Sequence, residues 1–514
     1  MTYELNSLPE HVLPAEYRPA ALPEHAGNPL IEALPPFLTA DDLMPYLGRY
    51  PDFVKKDSSL PKTQRMMAVS RLNSYLEPMT CHYEVIEQIG LMIRSGYTDR
   101  NPVSADYRKS LVKFYRQSMN GRTCPIELSG PSTAPSFSLF GVSGTGKSTI
   151  VDRTLSFLPR AMVHPKYGFT QIVWMKLDCP MDGSLKSLLL AIVDNIDTTL
   201  GTSHAKVIGR RATVDDLILS VSKIAAQHHL GVLVVDEIQN LLDAPGFHQA
   251  KMLNFFVTLA NVVKIPFIVL GTPRAQKLLQ GVLREARRLS DSGSLTWDRM
   301  SPGDEWDYFL GELWKYQWTS KHAELDEALS KTMYSQTQGI KALVVRLFQL
   351  SQLQAMRDNS ETLTVALINK VASEKFVLLT KVLTALRNGN REEIIKYEDL
   401  LSTGLTGLMA DIGESTGAAD NVAKSELRKG RFDKLKAISK LMREGCAQED
   451  AQSIADAIFD QSGEQKAVRE KILDTIESER PASLIEAYKV SHQDTADTSR
   501  TPRPAKKAGK RRRG

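Results

Sequence analysis

Residues 137–148 read Phe-Ser-Leu-Phe-Gly-Val-Ser-Gly-Thr-Gly-Lys-Ser. Gly141, Gly146, Lys147 and Ser148 fit the phosphate-loop pattern G-x-x-x-x-G-K-[ST]. The apolar residues before the glycines predict a strand, and residues 149–157 have a helical pattern, which is the context that this loop needs. Backbone N–H groups of such a loop cradle phosphate oxygens, helped by the helix N-terminus. The stretch therefore predicts a nucleoside triphosphate site.

Each part of this loop has an expected role. Lys147 would reach the β- and γ-phosphates, and the Ser148 hydroxyl would bind Mg²⁺. The candidate nucleotide-binding residues of the loop are Gly141, Val142, Ser143, Gly144, Thr145, Gly146, Lys147, Ser148 and Thr149.

A second motif indicates what happens to the triphosphate. Residues 230–240 read Leu-Gly-Val-Leu-Val-Val-Asp-Glu-Ile-Gln-Asn, an apolar strand that ends in two carboxylates. Ligands of parallel sheets bind at the carboxyl ends of the strands, so Asp236 should emerge beside the phosphate loop. Asp236 would hold Mg²⁺ directly or through water, and Glu237 could polarise the water that attacks the γ-phosphate. The pair favours hydrolysis of the triphosphate over transfer to a second substrate.

The surrounding pattern predicts an α/β fold with a doubly wound parallel sheet. Further strands are expected at 171–177 and 265–270, with helices between them, and only helices are expected after residue 304. The predicted regions are an extended Pro-rich segment (1–60) that could dock a target selector, a helical N-terminal region (61–128), the α/β nucleotide-binding core (129–303), an all-helical lid (304–390), a helical C-terminal region (391–490) and a disordered basic tail (491–514).

Composition excludes several classes of protein. The 514 residues are 42% hydrophobic and 24% charged, and no run approaches the length of a membrane span. The four cysteines form no C-x-x-C pair and the N-terminus has no secretory pattern, which favours a cytoplasmic protein and argues against zinc. The net charge of +5 is concentrated between Arg500 and Gly514, where eight residues are basic; the rest of the chain sums to −3. Such a tail either associates with nucleic acid or is only a solvated extension.

Several segments together carry a family resemblance. The phosphate loop, Val-Val-Asp-Glu, Thr272 after the next strand, Ala-Arg-Arg at 286–288 and the helical lid resemble AAA+ P-loop ATPases. More narrowly, the chain resembles the TnsC family of AAA+ transposition regulators, within the wider group that includes TniB. The segments that carry this resemblance are 28–36 (Asn-Pro-Leu-Ile-Glu-Ala-Leu-Pro-Pro), 92–97 (Met-Ile-Arg-Ser-Gly-Tyr), 177–186 (Leu-Asp-Cys-Pro-Met-Asp-Gly-Ser-Leu-Lys), 252–258 (Met-Leu-Asn-Phe-Phe-Val-Thr) and 270–274 (Leu-Gly-Thr-Pro-Arg).

The resemblance implies an ATP-dependent switch that assembles as rings or filaments on duplex DNA. It implies as partners the transposase TnsB, the endonuclease TnsA and a target selector of the TnsD or TniQ type. Thr272 takes the position of a residue that orients the attacking water, and Arg287 or Arg288 that of a finger reaching a neighbouring subunit's γ-phosphate. Arg346 is a candidate nucleotide sensor on a lid helix, with a solvated helix-face arginine as the alternative.

DNA contacts are expected by the same resemblance after the second strand and after the next helix. The residues at these positions are Lys186, Lys206, Arg210 and Arg211. All would contact phosphates, which predicts binding to duplex DNA without sequence preference.

Two other functions fit the same motifs. One is a different DNA-remodelling AAA+ ATPase, such as a helicase or a clamp loader. The other is a signalling NTPase that uses its helical C-terminus to bind proteins and does not bind DNA.

Overall fold

The computed structural model describes residues 11–397 apart from residues 38, 122–124, 128–133, 209–211, 243–254, 257 and 277–293, together with residues 9, 400–401 and 405. All of them belong to the first of the two units into which the chain divides, Met1–Ser415 and Thr416–Gly514. Of the predicted site residues, Arg210, Arg211, Arg287 and Arg288 lie outside the described residues, as do the basic tail and nearly all of the C-terminal region.

Within the described residues, eight strands form two sheets. The strands are β1 (Val12–Pro14), β2 (Ser136–Phe140), β3 (Ala161–His164), β4 (Phe169–Ile172), β5 (Trp174–Asp178), β6 (Val232–Asp236), β7 (Phe267–Gly271) and β8 (Ser294–Thr296). The larger sheet has the order β5-β6-β7-β2-β8, and every neighbouring pair in it is parallel. The strand that leads into the phosphate loop therefore lies inside the sheet, with the strand that carries Asp236 two places away.

A smaller sheet, of order β1-β3-β4, was not expected from the sequence. The predicted strand 171–177 is in fact two strands, because β4 pairs antiparallel with β3 whereas β5 pairs parallel with β6. The change falls at Val173, whose N–H bonds to the carbonyl of Arg160. The apolar run is continuous across this point, so its pattern does not reveal that the chain changes partner.

The helices follow the predicted periodicity closely. They are α1 (Pro29–Glu32), α2 (Ala40–Leu47), α3 (Lys62–Ala68), α4 (Cys81–Thr98), α5 (Ala105–Met119), α6 (Lys147–Leu155), α7 (Leu185–Leu200), α8 (His204–Val207), α9 (Val214–Gln227), α10 (Asp304–Trp314), α11 (Glu327–Thr337), α12 (Lys341–Arg357), α13 (Val365–Lys375) and α14 (Thr380–Asn388). A π-helical stretch, Thr258–Val263, precedes β7. Ser184 caps α7 by accepting the N–H of Ser187, and Thr213 caps α9 with a capping box.

Helices cover both faces of the larger sheet. On one face, Leu139 and Val234 pack with Ile89 of α4 and Ile150 of α6. On the other face, Val235 and Val269 belong to a cluster that includes side chains of α7, α9 and the π-helical stretch. The doubly wound α/β fold predicted from the sequence is confirmed.

The N-terminal 60 residues are not simply extended, and that part of the prediction is wrong. Strand β1 pairs in parallel with β3, and buried side chains of α1 and α2 join the same cluster as α4 and α6. Pro29 does not prevent this, because it occupies the first turn of α1, where proline is tolerated and where Asn28 caps the helix. Apolar residues such as Leu30 and Leu47, both fully buried, drive the packing.

A second hydrophobic core lies in the lid. It joins the buried faces of α10 to α14 with Val69, Leu72 and Met79 from the chain before α4. A bidentate ion pair between Arg65 and Glu361 reinforces this packing. The predicted helical region 61–128 therefore contributes to two cores, its first part to the lid and α4 to the α/β core. Among the described residues, no helix is long and apolar enough to cross a membrane.

Candidate nucleotide-binding site

The phosphate loop connects β2 to α6 with the geometry that the motif requires. Gly144 and Gly146 have φ angles of +82° and +102°, in the left-handed region that glycine adopts without strain. At Gly141 a side chain has no room, because an added Cβ would lie 2.0 Å from the carbonyl oxygen of Trp297. The glycines of the motif are thus required by backbone geometry.

Lys147 begins α6 and lies against the loop. Its ammonium donates to the carbonyl oxygens of Gly141 and Val142, at 2.7 and 3.0 Å, and its side chain is largely buried. The Thr145 hydroxyl donates to the same Val142 oxygen at 2.8 Å. Ser148 and Thr149 follow in the first turn of α6, with Ser148 half-buried and Thr149 exposed. This arrangement brings a cation and a hydroxyl to the N-terminus of a helix, where anionic oxygens bind.

The two carboxylates lie where β6 ends. Asp236 is buried, and its Oδ1 accepts the backbone N–H of Glu237 at 2.9 Å. Glu237 has a φ of +52°, an uncommon conformation for a residue with a side chain. Its carboxylate accepts a hydrogen bond from the amide of Gln239.

The surroundings of Glu237 suit a base. Burial and the negative charge of Asp236 raise the pKa of the Glu237 carboxyl, against the opposing effects of Gln239 and Lys147. A carboxylate with a raised pKa accepts a proton more readily, which is what activation of a water requires.

Lys176, on β5, was not singled out in the sequence, although it is a charged residue between two apolar ones, Met175 and Leu177. Its ammonium lies 3.0 Å from Asp236 Oδ2 and 3.0 Å from the Asp152 carboxylate of α6. Burial opposes the charge of Lys176, but the two carboxylates outweigh it and raise its pKa. Lys176 is therefore a charged partner of Asp236, the candidate metal ligand.

Thr272 comes directly after β7 and is buried. The Gly141 N–H donates to the Gly271 carbonyl at 3.1 Å, so the end of β7 is bound to the start of the phosphate loop. This contact positions Thr272 beside the loop, as expected of a residue that orients water.

The lid touches the loop directly. The Ala342 N–H, in the first turn of α12, donates to the Gly144 carbonyl at 3.0 Å. Arg346 lies one turn further along the same helix face and is only 3% exposed, so it is not a solvated helix-face arginine.

Trp297 is a second residue that the sequence analysis missed. Its indole N–H donates to the Thr145 carbonyl at 3.1 Å and its backbone N–H to the Phe140 carbonyl at 2.7 Å. The His82 ring stacks on it, with 5.7 Å between centroids and 4° between planes. Trp297 follows the three-residue strand β8, which is too short to leave a clear pattern in the sequence.

The donor set fits magnesium held through water. Both oxygens of Asp236 already have a partner, Glu237 N–H on one and Lys176 on the other. Each carboxylate oxygen has a further lone pair, so Asp236 can still accept a water of a hydrated ion. Mg²⁺ keeps several waters in its usual protein sites. The described residues contain no group of three or more His, Cys, Asp or Glu side chains placed to hold a metal.

The two described DNA candidates do not form one cluster. Lys186 lies in the first turn of α7, whereas Lys206 lies on α8, which is bound near the other end of α7 through Asp197. Eleven residues of helix, about 16 Å, separate Lys186 from Asp197. Lys186 is half-buried and Lys206 is exposed.

Comparison with known proteins agrees with this geometry. Residues 130–279 match the family model described as an AAA domain. This range begins before β2 and extends past β7, so it holds the phosphate loop, Asp236, Glu237 and Thr272. The fold and the site define an AAA+ P-loop ATPase.

Similar solved structures include the Aeropyrum pernix Orc1 protein in complex with DNA (13% identity, TM-score 0.33, 60% of this chain and 82% of that chain). They also include Cdc6p from Pyrobaculum aerophilum (13% identity, TM-score 0.34, 61% of this chain and 87% of that chain) and Drosophila ORC bound to DNA (13% identity, TM-score 0.33, 72% of this chain and 87% of that chain). At these scores the likenesses add nothing to the fold assignment, which rests on the strand order and the family match. No curated protein matches the sequence significantly.

Proposed function

We propose that this ATPase is a regulator of DNA transposition of the TnsC type. It oligomerises on duplex DNA, connects a target-selection protein to the TnsA and TnsB transposase, and hydrolyses ATP to control how long the assembly persists. The observation that carries the proposal is the resemblance of five separate segments between residues 28 and 274 to the TnsC family, in addition to the motifs shared by all AAA+ ATPases.

The contact between the lid and the phosphate loop supports a switch. The lid meets the loop at a backbone hydrogen bond, Ala342 N–H to Gly144 O, rather than through long side chains. A bound triphosphate would occupy the same loop, so the residues that hold the lid lie next to the nucleotide. Nucleotide state and lid position are thereby coupled, as an assembly controlled by ATP requires.

In this function Glu237 takes a proton from the attacking water, and Thr272 orients that water. Lys147 and Mg²⁺, held by Ser148 and through water by Asp236, bind the phosphates. Arg346 contributes from the lid. Arg287 or Arg288, reaching in from a neighbouring subunit, stabilises the charge of the transition state, so that hydrolysis depends on assembly.

DNA is bound through its phosphates. Lys186, Lys206, Arg210 and Arg211 supply cations after β5 and after α7, and contacts of such cations with phosphates carry no sequence information. Specificity for a target then comes from the selector protein.

Filter binding of a duplex DNA with ATP, ADP and a non-hydrolysed analogue tests the proposal first. We expect tight binding with ATP or the analogue and weak binding with ADP. If DNA binding does not depend on the nucleotide, the transposition regulator and the alternative of a helicase or clamp loader both fail, and a signalling NTPase remains.

A second experiment separates the two DNA-dependent functions. The native protein on DNA should retain a TnsB-type transposase only with ATP, and it should not unwind a forked duplex. Unwinding without transposase retention would assign the protein to the helicase alternative. The Glu237→Gln variant should hold the transposase for longer than the native protein does.

A further inference from the structure

Lys176 connects three parts of the nucleotide site. In the register of the parallel strands Asp178 is opposite Asp236, so Lys176 and Asp236 face the same side of the sheet, two positions apart. A lysine is long enough to span this diagonal. The same ammonium reaches Asp152, which lies on α6 five residues after Lys147.

The two carboxylates differ in their exposure to solvent. The Lys176 and Asp236 side chains are 12% and 4% exposed, whereas that of Asp152 is 59% exposed. A buried charge that loses its partner is strongly unfavourable, so Asp236 depends on Lys176. Asp152 is solvated with or without Lys176, and it offers the ammonium a second partner at the edge of the site.

This arrangement balances the charge of Asp236 inside the protein. Magnesium binds where anionic oxygens accumulate, and a carboxylate already paired with an ammonium attracts it poorly. A triphosphate brings several anionic oxygens of its own, so the metal gains most of its attraction from the nucleotide.

We propose that Lys176 is a positioning residue that acts as an internal counter-ion of Asp236 and makes metal binding conditional on nucleotide. With the nucleotide and its metal bound, Lys176 would release Asp236 and keep its contact with Asp152, so that no buried charge is left without a partner. The inference rests on the proposed metal-binding role of Asp236, and it does not depend on a role in transposition.

Manganese binding to the full-length protein tests the inference, with the free ion followed by electron paramagnetic resonance. Without nucleotide, Lys176→Met should bind Mn²⁺ about tenfold more tightly than the native protein, because a cation beside the metal is removed. Lys176→Arg keeps the charge and should behave as the native protein does.

Asp152→Asn should act in the opposite direction. Without nucleotide its Mn²⁺ affinity should equal that of the native protein, since Asp236 keeps its partner. With a non-hydrolysed ATP analogue its Mn²⁺ affinity should fall severalfold, because Lys176 has lost the Asp152 carboxylate, the partner that remains once it releases Asp236. A merely structural ion pair would not give changes of opposite sign.

The double variant Lys176→Met/Asp236→Asn locates the gained affinity. It should bind Mn²⁺ as weakly as the native protein does. If the double variant still binds Mn²⁺ more tightly than the native protein, the metal lies elsewhere and the inference is overturned. Unchanged Mn²⁺ affinity in Lys176→Met would overturn it as well. If Lys176→Met does not fold, Lys176→Gln and Asp152→Asn provide the same test, and unchanged Mn²⁺ affinity in both overturns it. Equal affinity of native protein and Asp236→Asn for Mn²⁺ with the analogue would instead show that Asp236 does not bind the metal.

Discussion

Ionisable side chains are buried at both ends of the strands of the larger sheet, which we call the carboxyl edge and the amino edge. The two differ in the partners that these side chains have. At the carboxyl edge, Asp236 and Lys176 are held as an ion pair. At the amino edge, just before β6, burial lowers the pKa of His228 to about 4 and that of His229 to about 3, so both are neutral at pH 7.

The partners at the amino edge are neutral as well. His228 is hydrogen-bonded to the Thr170 hydroxyl at 2.7 Å, and His164, in the adjoining smaller sheet, to the Gln171 amide at 2.9 Å. Arg100 donates to the carbonyl oxygens of Gly96 and Leu230. The carboxyl edge therefore holds an ion pair that an ionic ligand can rearrange, whereas at the amino edge His228, His164 and Arg100 are hydrogen-bonded to neutral groups. The comparison predicts that substitutions at the two edges affect different properties.

The largest effect is expected from Lys147→Ala. Removing the ammonium from the phosphate loop should lower the affinity for ATP by about 100-fold and abolish ATP-dependent assembly, because Lys147 is the cation that the loop itself offers to the β- and γ-phosphates. His164→Gln, on β3 of the smaller sheet, is the control and should bind ATP as the native protein does. A fluorescent ATP analogue measures both; ATP-dependent oligomers of Lys147→Ala would contradict the role of the loop.

Glu237→Gln should lower the rate of hydrolysis by about 10²- to 10⁴-fold while ATP stays bound, because the amide cannot accept the proton of the attacking water. Phosphate release under single-turnover conditions measures the rate, and equilibrium binding measures the affinity. Glu327→Gln, on the exposed side of a lid helix, is the control and should leave both unchanged. Turnover of Glu237→Gln at the native rate would exclude Glu237 as the base.

The buried histidines near the amino edge should make the free energy of unfolding depend on pH. His164, His228 and His229 have folded-state pKa values of about 4, 4 and 3, below their ordinary 6.5. Between the folded-state pKa values and 6.5, these histidines bind more protons in the unfolded chain than in the folded protein. Their contribution to the free energy of unfolding should therefore be constant well above pH 6.5 and fall as the pH drops from 6.5 toward 4. We expect a loss of about 1 kcal/mol per histidine by pH 5.5.

Urea unfolding at pH 7.5, 6.5 and 5.5 measures this dependence. His228→Gln should make the stability less dependent on pH, whereas Lys147→Ala should leave the dependence as in the native protein. A pH dependence that His228→Gln does not change would mean that this histidine is not neutral in the folded protein.

The smallest effect is expected from the basic tail. Removing residues 500–514 takes away eight basic residues and should weaken binding to duplex DNA a few-fold at about 50 mM salt, and hardly at all at 200 mM, because contacts with phosphates are screened. An unchanged dependence on salt would leave the tail as a solvated extension.

Much of the nucleotide site could be predicted from residues near one another in the chain. The phosphate loop and the Asp236–Glu237 pair each occupy one short stretch, and each follows an apolar strand. Parallel strands bring their carboxyl ends to one edge, so the two stretches were expected to meet there. The helices were also predictable, because their buried faces recur at helical spacing.

Other features depended on partners far away in the chain. The packing of the N-terminal segment was missed because its prolines indicate an extended chain, whereas the outcome depends on the apolar surface that α4 and α6 offer to Leu30 and Leu47. The change of sheet at Val173 was missed because either pairing buries the same apolar residues.

The sequence by itself determined that this protein binds and hydrolyses a nucleoside triphosphate, since the loop must place glycines, a lysine and a hydroxyl within eight residues for backbone groups to reach phosphates. Only the tertiary structure decided what surrounds those groups: Lys176 paired with Asp236, Trp297 bonded to Thr145, and the lid bonded to Gly144. These contacts join residues that lie between 60 and 198 positions apart. Local sequence patterns do not predict such pairings, because the packing of the whole chain selects them.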